Sequence, residues 1–303
     1  DRRTMSKTYL ADAIKYGADV RLGQRVVQVR STGSGFLVRT RSRGDKSVST
    51  YRARDVYVCA GGTGSPSLLR RMGIRERIGT TMRFHPMARM AAQFSCPVTE
   101  PGDGVPVRQV TQFLPDLTMG CSSSNAPQVA LWVGGHEVAR ALRDIDCYGV
   151  YYALVSSDSL GSLRAVPWSP GNQIRYSVSE RDLQKLGDGI SRLAELLFAG
   201  GAQAVFLPDG RGTRATSPNE VYEHSADLRS VKKWLLSTIH VYGGVPSGRA
   251  TRFPLDSWGR VKGRRGLYVN DVSVLPTAIG VNPQGPLMAL ALRNVRAHID
   301  HDH

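Results

Sequence analysis

His240 lies in Thr238-Ile239-His240-Val241-Tyr242-Gly243-Gly244, where an apolar strand end delivers one imidazole and two glycines let backbone pack close behind it. An imidazole, with an unperturbed pKa of about 6.5, accepts or relays a proton near neutral pH. Asn282 stands directly before Pro283 in a loop rich in Pro and Gly. An amide there can orient a substrate oxygen without adding charge. Asp271 stops the short apolar run Leu267-Tyr268-Val269 and can accept hydrogen bonds from ligand hydroxyls. The three are a proton acceptor, a neutral amide and a carboxylate able to accept hydrogen bonds. On residue type alone, a single strand histidine is more often structural than catalytic.

Two strand–turn–helix units must hold these groups. The later one runs from Gly266 to Ile299: strand Leu267–Val269, a stop at Asn270-Asp271, a Pro/Gly loop, and helical spacing from Leu287 onward. It aims the unpaired N–H groups and positive dipole end of a helix at the crevice above a sheet. The earlier unit is the buried strand Asp55-Val56-Tyr57-Val58-Cys59-Ala60, running into Gly61-Gly62. Ser65 reads as an N-cap there, Pro66 as a first helical residue, and Gly73 as the stop. An ordinary α/β crossover is the alternative reading of either unit taken alone.

The remainder of the chain frames them. Tyr9 to Ile14 has helical spacing closed by Gly17. Val20 to Leu22, Val26 to Val29, Phe36 to Val38 and Val48 to Arg52 read as strands, with a turn at Gly33 to Gly35. From about Arg83, strands and Gly/Ser/Pro loops dominate, including Leu131–Val133, Val150–Val155 and Ile174–Val178. Ser179 to Phe198 is an amphipathic helix opened by a capping box of Ser179 and Asp182, with Leu183, Leu186, Ile190, Leu193 and Leu197 on one face. His85, in Phe84-His85-Pro86, reads as structural because it lies far in sequence from the reactive loops.

Composition narrows the class. With 303 residues and 41% hydrophobic content the chain suits a globular α/β or α+β protein. It has no apolar run of about 18 residues, and its first residues lack the apolar segment of a signal peptide. The four cysteines form no CxxC pair and read as buried thiols of a reducing compartment, which places the chain in the cytoplasm. The net charge of +15 is spread along the chain without a basic tail or a nucleic-acid-binding motif, so nucleic acid is not an expected partner. The serines show no GxSxG context, which argues against a hydrolase. The terminal His298, Asp300, His301, Asp302 and His303 read as a frayed polar tail rather than a metal site.

The run Gly280-Val281-Asn282-Pro283, with Ala291-Leu292-Arg293-Asn294-Val295, resembles the carboxyl-terminal signature of the glucose–methanol–choline (GMC) flavoprotein oxidoreductases. It looks most like the branch containing cholesterol oxidase and long-chain alcohol oxidases. The His-x-x-Gly-Gly run at His240 resembles the family's active-site histidine motif, ahead of Gly259 to Ser273 at about the family spacing. Gly61, Ser65, Pro66, Leu68, Leu69 and Gly73 resemble a second family signature, with departures at Gly62, Met72 and Arg75. Val26 matches the position whose backbone meets the adenine of FAD, and His85 a run at the crossing between domains.

The resemblance implies an α/β (α+β overall) fold. A GMC-type FAD-binding domain would comprise residues 1–82 and 237–303, and an antiparallel-sheet substrate domain, 83–236, would be inserted between them. It implies FAD as cofactor, held at Val26, Ala60, Gly61, Gly62, Ser65, Asp271, Val272, Asn282, Pro283 and Gln284. It further implies a bulky apolar or sterol-like alcohol that gives a hydride to flavin N5, with His240 as base or relay and Asn282 orienting the oxygen. The GxGxxG strand–helix unit that opens the family's FAD domain is not in this sequence. The expectation is therefore a flavoenzyme segment that lacks its first βαβ unit and is completed by that segment or by a partner chain. A non-catalytic module of the same fold is the alternative.

Overall fold

The computed structural model describes residues 4–99, 108–165, 172–227 and 231–301. After helix α1 (Tyr9–Lys15), strands β1 (Gln24–Thr32), β2 (Gly35–Ser42) and β3 (Val48–Ala53) form an antiparallel meander. Thr32 pairs with Gly35, so the β1–β2 turn is the two-residue loop Gly33-Ser34. A register shift between Val26 and Gln28 puts a bulge at Val27. Val20 to Leu22 do not form a strand: they are exposed, between turns at Gly17 and Gly23 that both take positive φ.

β4 (Val56–Val58) leads directly into α2 (Gly61–Arg71), and β5 (Arg83–Phe84) and β6 (Met87–Phe94) follow. Next come β7 (Gln109–Val110), β8 (Leu117–Cys121), α3 (Ala126–Val133), α4 (Val138–Arg143) and β9 (Tyr148–Val155). Leu131 to Val133 are therefore helical, not a strand. The side chain of Asn125 caps α3 by accepting from Gln128 N, Pro127 occupies its first turn, and Gly134 at φ 62° ends it. β10 (Ser162–Ala165) and β11 (Asn172–Arg175) make a hairpin before α5 (Glu180–Ala199). β12 (Ala202–Phe206), β13 (Arg214–Ala215), α6 (Pro218–Ala226), β14 (Leu236–Ser237), β15 (Val241–Tyr242), β16 (Leu267–Val269) and α7 (Gln284–His301) complete the order.

The largest sheet is antiparallel, in the order β13-β12-β6-β9-β8-β7, with β14 also paired to β6. The apolar face of α5 covers it: Leu183, Leu186, Ile190, Leu193 and Leu197 pack with Met90, Leu117, Ala153 and Val205. Ser179 caps α5 by accepting from Asp182 N, but the Asp182 carboxylate turns to Ser157 and Ser159, so the capping box is only half made.

A second core joins the two strand–turn–helix units. β16 pairs in parallel with β4, Leu267 beside Val56 and Val269 beside Val58. Around this pair cluster Val29, Phe36, Leu68, Leu69, Ile78, Val245, Leu255 and Val274. Tyr57 and Tyr268 stack with ring centroids 4.6 Å apart. His298 packs edge-on against both rings, its Nδ1 2.6 Å from the Tyr268 hydroxyl. The C-terminal histidines are thus not all a frayed tail; Asp302 and His303 lie outside the described residues. All four cysteines are free, and Cys59 and Cys96 are exposed rather than buried. Among the described residues, no helix is long and apolar enough to cross a membrane.

Candidate active site

β5 and β15 pair antiparallel, with Val241 opposite Phe84 and Tyr242 opposite Arg83. Continuing that register by one step sets His240 opposite His85, and the two rings do meet, Nδ1 to Nδ1 at 3.1 Å and almost perpendicular. Tyr242 is two residues beyond His240, hence on the same side of the strand. Its hydroxyl lies 2.8 Å from His85 Nδ1 and 3.2 Å from Nε2. Sequence distance was the ground for reading His85 as structural only. The strand pairing removes that ground, because it bonds His85 to the candidate base.

His85 is completely buried. Burial, and then the nearby His240, push its pKa down to about 3. Burial also lowers His240, which is half-exposed, and raises the Tyr242 phenol. At neutral pH the group is two neutral imidazoles and a protonated phenol. His240 therefore keeps a free lone pair available to take a proton.

Thr118 Oγ1 donates to the Gly280 carbonyl at 2.6 Å. That bond fixes the loop just before Asn282, which is exposed at the entrance to α7, where Leu287 N donates to the Pro283 carbonyl. His240 is tied to one buried imidazole through its side chain. Asn282, Pro283 and Gln284 stand at the N-terminal, positive end of an eighteen-residue helix.

Asp271 has a different task from the one its position at a strand end suggests. Its Oδ1 accepts from Ser273 N at 2.8 Å and Ser273 Oγ at 2.6 Å. Oδ2 accepts from Gly61 N at 2.8 Å and from Ser65 Oγ. Protein donors thus occupy both oxygens, and the carboxylate joins the β4–α2 turn to the β16 turn instead of awaiting ligand hydroxyls. Ser65 is correspondingly not an N-cap: α2 starts at Gly61, with Ser65 and Pro66 inside it, and Ser65 Oγ accepts from Ala60 N. Ser273, Tyr242 and the amide pair Asn270–Asn294, which ties α7 to the end of β16, are contributors that the sequence reading did not single out. The signal for Tyr242 was available in its two-residue spacing from His240.

Two family models described as GMC oxidoreductase match this chain, one over residues 1–87 and the other over residues 160–291. A GMC-type oxidoreductase of Sinorhizobium fredii is 32% identical over 99% of the chain. The chain belongs to the GMC oxidoreductases. It spans 61% of the length of that relative. The long-chain-alcohol oxidase FAO3 of Arabidopsis thaliana is 22% identical over 96% of this GMC chain, which spans 44% of the oxidase. The crystal structure of pyridoxine 4-oxidase from Mesorbium loti shares the fold. Its TM-score is 0.70 at 19% identity, over 100% of this chain and 62% of that one.

FAD is the cofactor of the GMC family, and part of its cradle can be tested on the residues present. A cleft of about 850 Å³ runs between β1 and the β4–α2 turn, lined by Val26, Val29, Val58, Ala60, Gly64 and Arg71 among others. That size and mixed lining suit a cofactor. The structure thereby brings Val26 and Ala60 together, with the Val27 bulge re-aiming the strand beside them. Gly61, at φ +80°, has open space where a Cβ would project, as close backbone approach to a ligand requires. The residues fit the group.

Gly62 also has a packing role. A Cβ on it would lie 2.3 Å from the carbonyl oxygen of Val241, the residue next to His240. Its missing side chain lets the β4–α2 turn pack against the strand that carries the imidazole. The Gly62→Ala variant is expected to lose about 1–3 kcal/mol of stability through overpacking, read as a lower urea midpoint at constant m-value. An unchanged midpoint would show that this contact relaxes freely.

Proposed function

We propose that this GMC chain carries the active site of an FAD-dependent oxidoreductase that oxidises the CH–OH group of an alcohol, bulky and apolar or sterol-like. The observation that carries this reading is the neutral His240–His85–Tyr242 group, set beside the α2 turn. Val26, Ala60 and Gly61 would hold the dinucleotide in the cleft, and the α7 N-terminus with Asn282, Pro283, Gln284 and the Val272 turn would face the ring system. When bound, the flavin supplies the hydride acceptor. His240 takes the hydroxyl proton, for which burial keeps it unprotonated. Asn282 donates its amide to the substrate oxygen and fixes the carbinol orientation without adding charge. The α7 N-terminus favours negative charge beside it. The resemblance to a long-chain-alcohol oxidase supports the choice of an apolar alcohol.

The test is the visible spectrum of the purified chain mixed with FAD, followed by anaerobic addition of a long-chain primary alcohol or a sterol. Perturbed flavin bands in the mixture, then bleaching by one of these alcohols, are expected. Perturbed bands that no alcohol bleaches would overturn the reaction; bands unchanged at saturating FAD would overturn FAD binding by this chain.

A further inference from the structure

Arg89 stands on β6 with 8% of its surface exposed, and among the described residues no carboxylate pairs with it. Its Nη1 donates to Ser237 Oγ at 2.7 Å, while Nε is buried without a hydrogen-bond partner. The guanidinium carbon sits over the Trp132 ring, 5.6 Å from its centroid. Burial pushes the pKa of the group down, as expected of a cation short of counter-charge. A buried donor left unmatched is costly, and a buried charge left unpaired costs more. With Nη1 taken by Ser237, the Nε–Nη2 edge is left over. That edge carries two parallel N–H bonds, which match the two oxygens of a carboxylate.

The register of the large sheet shows which way Arg89 faces. Arg89 pairs with Tyr152, and both Met87 and Thr118 pair with Leu154, so these side chains share the face opposite α5. On that same face Thr118 holds the Gly280 carbonyl, in the loop that leads to Asn282. Ser237 lies three residues before His240, and Arg89 four residues after His85, which meets His240. Fully extended backbone limits those two separations to about 11 Å and about 14 Å. Met87, between Arg89 and His85 along the chain, clusters with Tyr152 and Leu154. We propose that Arg89 is a specificity-determining residue that binds a carboxylate at the far end of the substrate. The alcohol is then a hydroxy acid whose carbinol and carboxylate are held roughly 10 Å apart by an apolar spacer. This rests on the reading of His240 as base, and it adds an anionic end to the apolar alcohol.

The test is isothermal titration of the full chain, at neutral pH and saturating FAD, with ω-hydroxydecanoate and with its methyl ester. The two probes share spacer and carbinol and differ in charge. The acid is expected to bind the native chain at least roughly tenfold more tightly than the ester. Arg89→Gln should weaken the acid far more than the ester and so remove the preference. Arg89→Lys, a cation without the planar fork, should keep part of it. Equal affinity of the native chain for both probes, or no binding of the acid, would overturn the proposal whether or not any variant folds. So would a preference that survives Arg89→Gln, or an equal loss of acid and ester in that variant, which would leave Arg89 a structural role only. Titration reads binding without turnover, so its outcome is separable from that of the alcohol test. A chain that prefers the acid through Arg89 but reduces flavin with neither probe would retire the enzymatic reading alone. One that oxidises both probes and binds them equally would retire the carboxylate alone.

Discussion

Replacing His240 with alanine is expected to slow reduction of bound flavin by alcohol roughly 10²–10⁴-fold, the usual share of a general base. That is a barrier increase of about 3–5 kcal/mol. His240 is half-exposed just before a two-residue strand, so its truncation leaves no large cavity and binding of FAD should persist. The pH dependence supplies a second handle on the same residue. Burial holds the imidazole below its ordinary value, and only the unprotonated ring can accept a proton. Flavin reduction should therefore be independent of pH above neutrality and fall only at pH below about 6.5, as the ring becomes protonated. The low-pH limb should vanish in His240→Ala. Stopped-flow reduction across pH 5 to 8 reads both effects; a variant within threefold of the native rate would remove His240 from the chemistry.

How much of this was legible in the sequence follows from the range of the interactions involved. Helix α5 could be read because its period, its Ser179 cap and its glycine stop are all local. Local signals of the same kind stand at α3 but were not read, and Leu131-Trp132-Val133 was taken as a strand although Asn125, Pro127 and Gly134 outweigh its β-forming look. The strand pair β4–β16 and the histidine motif were legible as motifs, since each is a short run with its own glycines. The roles of single polar residues were not. Asp271 looks like a ligand acceptor until Gly61 and Ser65 are seen to fill its second oxygen from far along the chain. His85 looks remote until β5 and β15 pair, and the packing of Gly62 on Val241 shows only once the chain has folded. Residue type names the chemistry a side chain can do. The partner it does it with is set by non-local pairing.

Asp271 is where that pairing should be most costly to lose. Removing its carboxylate in Asp271→Ala strands Ser65 and Ser273, both completely buried, together with two backbone N–H donors. Each buried donor left unsatisfied costs about 1–3 kcal/mol, and bonds to a charged acceptor stand at the upper end. With part of the loss recovered by water or local rotation, the expected destabilisation is about 3–5 kcal/mol, enough to unfold a marginal domain. Asp271→Asn separates the two halves of the joint. Its amide oxygen can still accept both bonds from Ser273, but the amide N–H₂ faces Gly61 N–H, donor against donor. The expected cost is then about 1–3 kcal/mol, concentrated where the β4–α2 turn meets the β16 turn, so FAD retention should weaken more than the urea midpoint falls. If Asp271→Ala shifted the midpoint by less than the equivalent of about 1 kcal/mol, the two strand–turn–helix units would have to be held together by their shared apolar core alone. The cluster of Val58, Leu69, Leu267 and Val269 would then be the next place to cut.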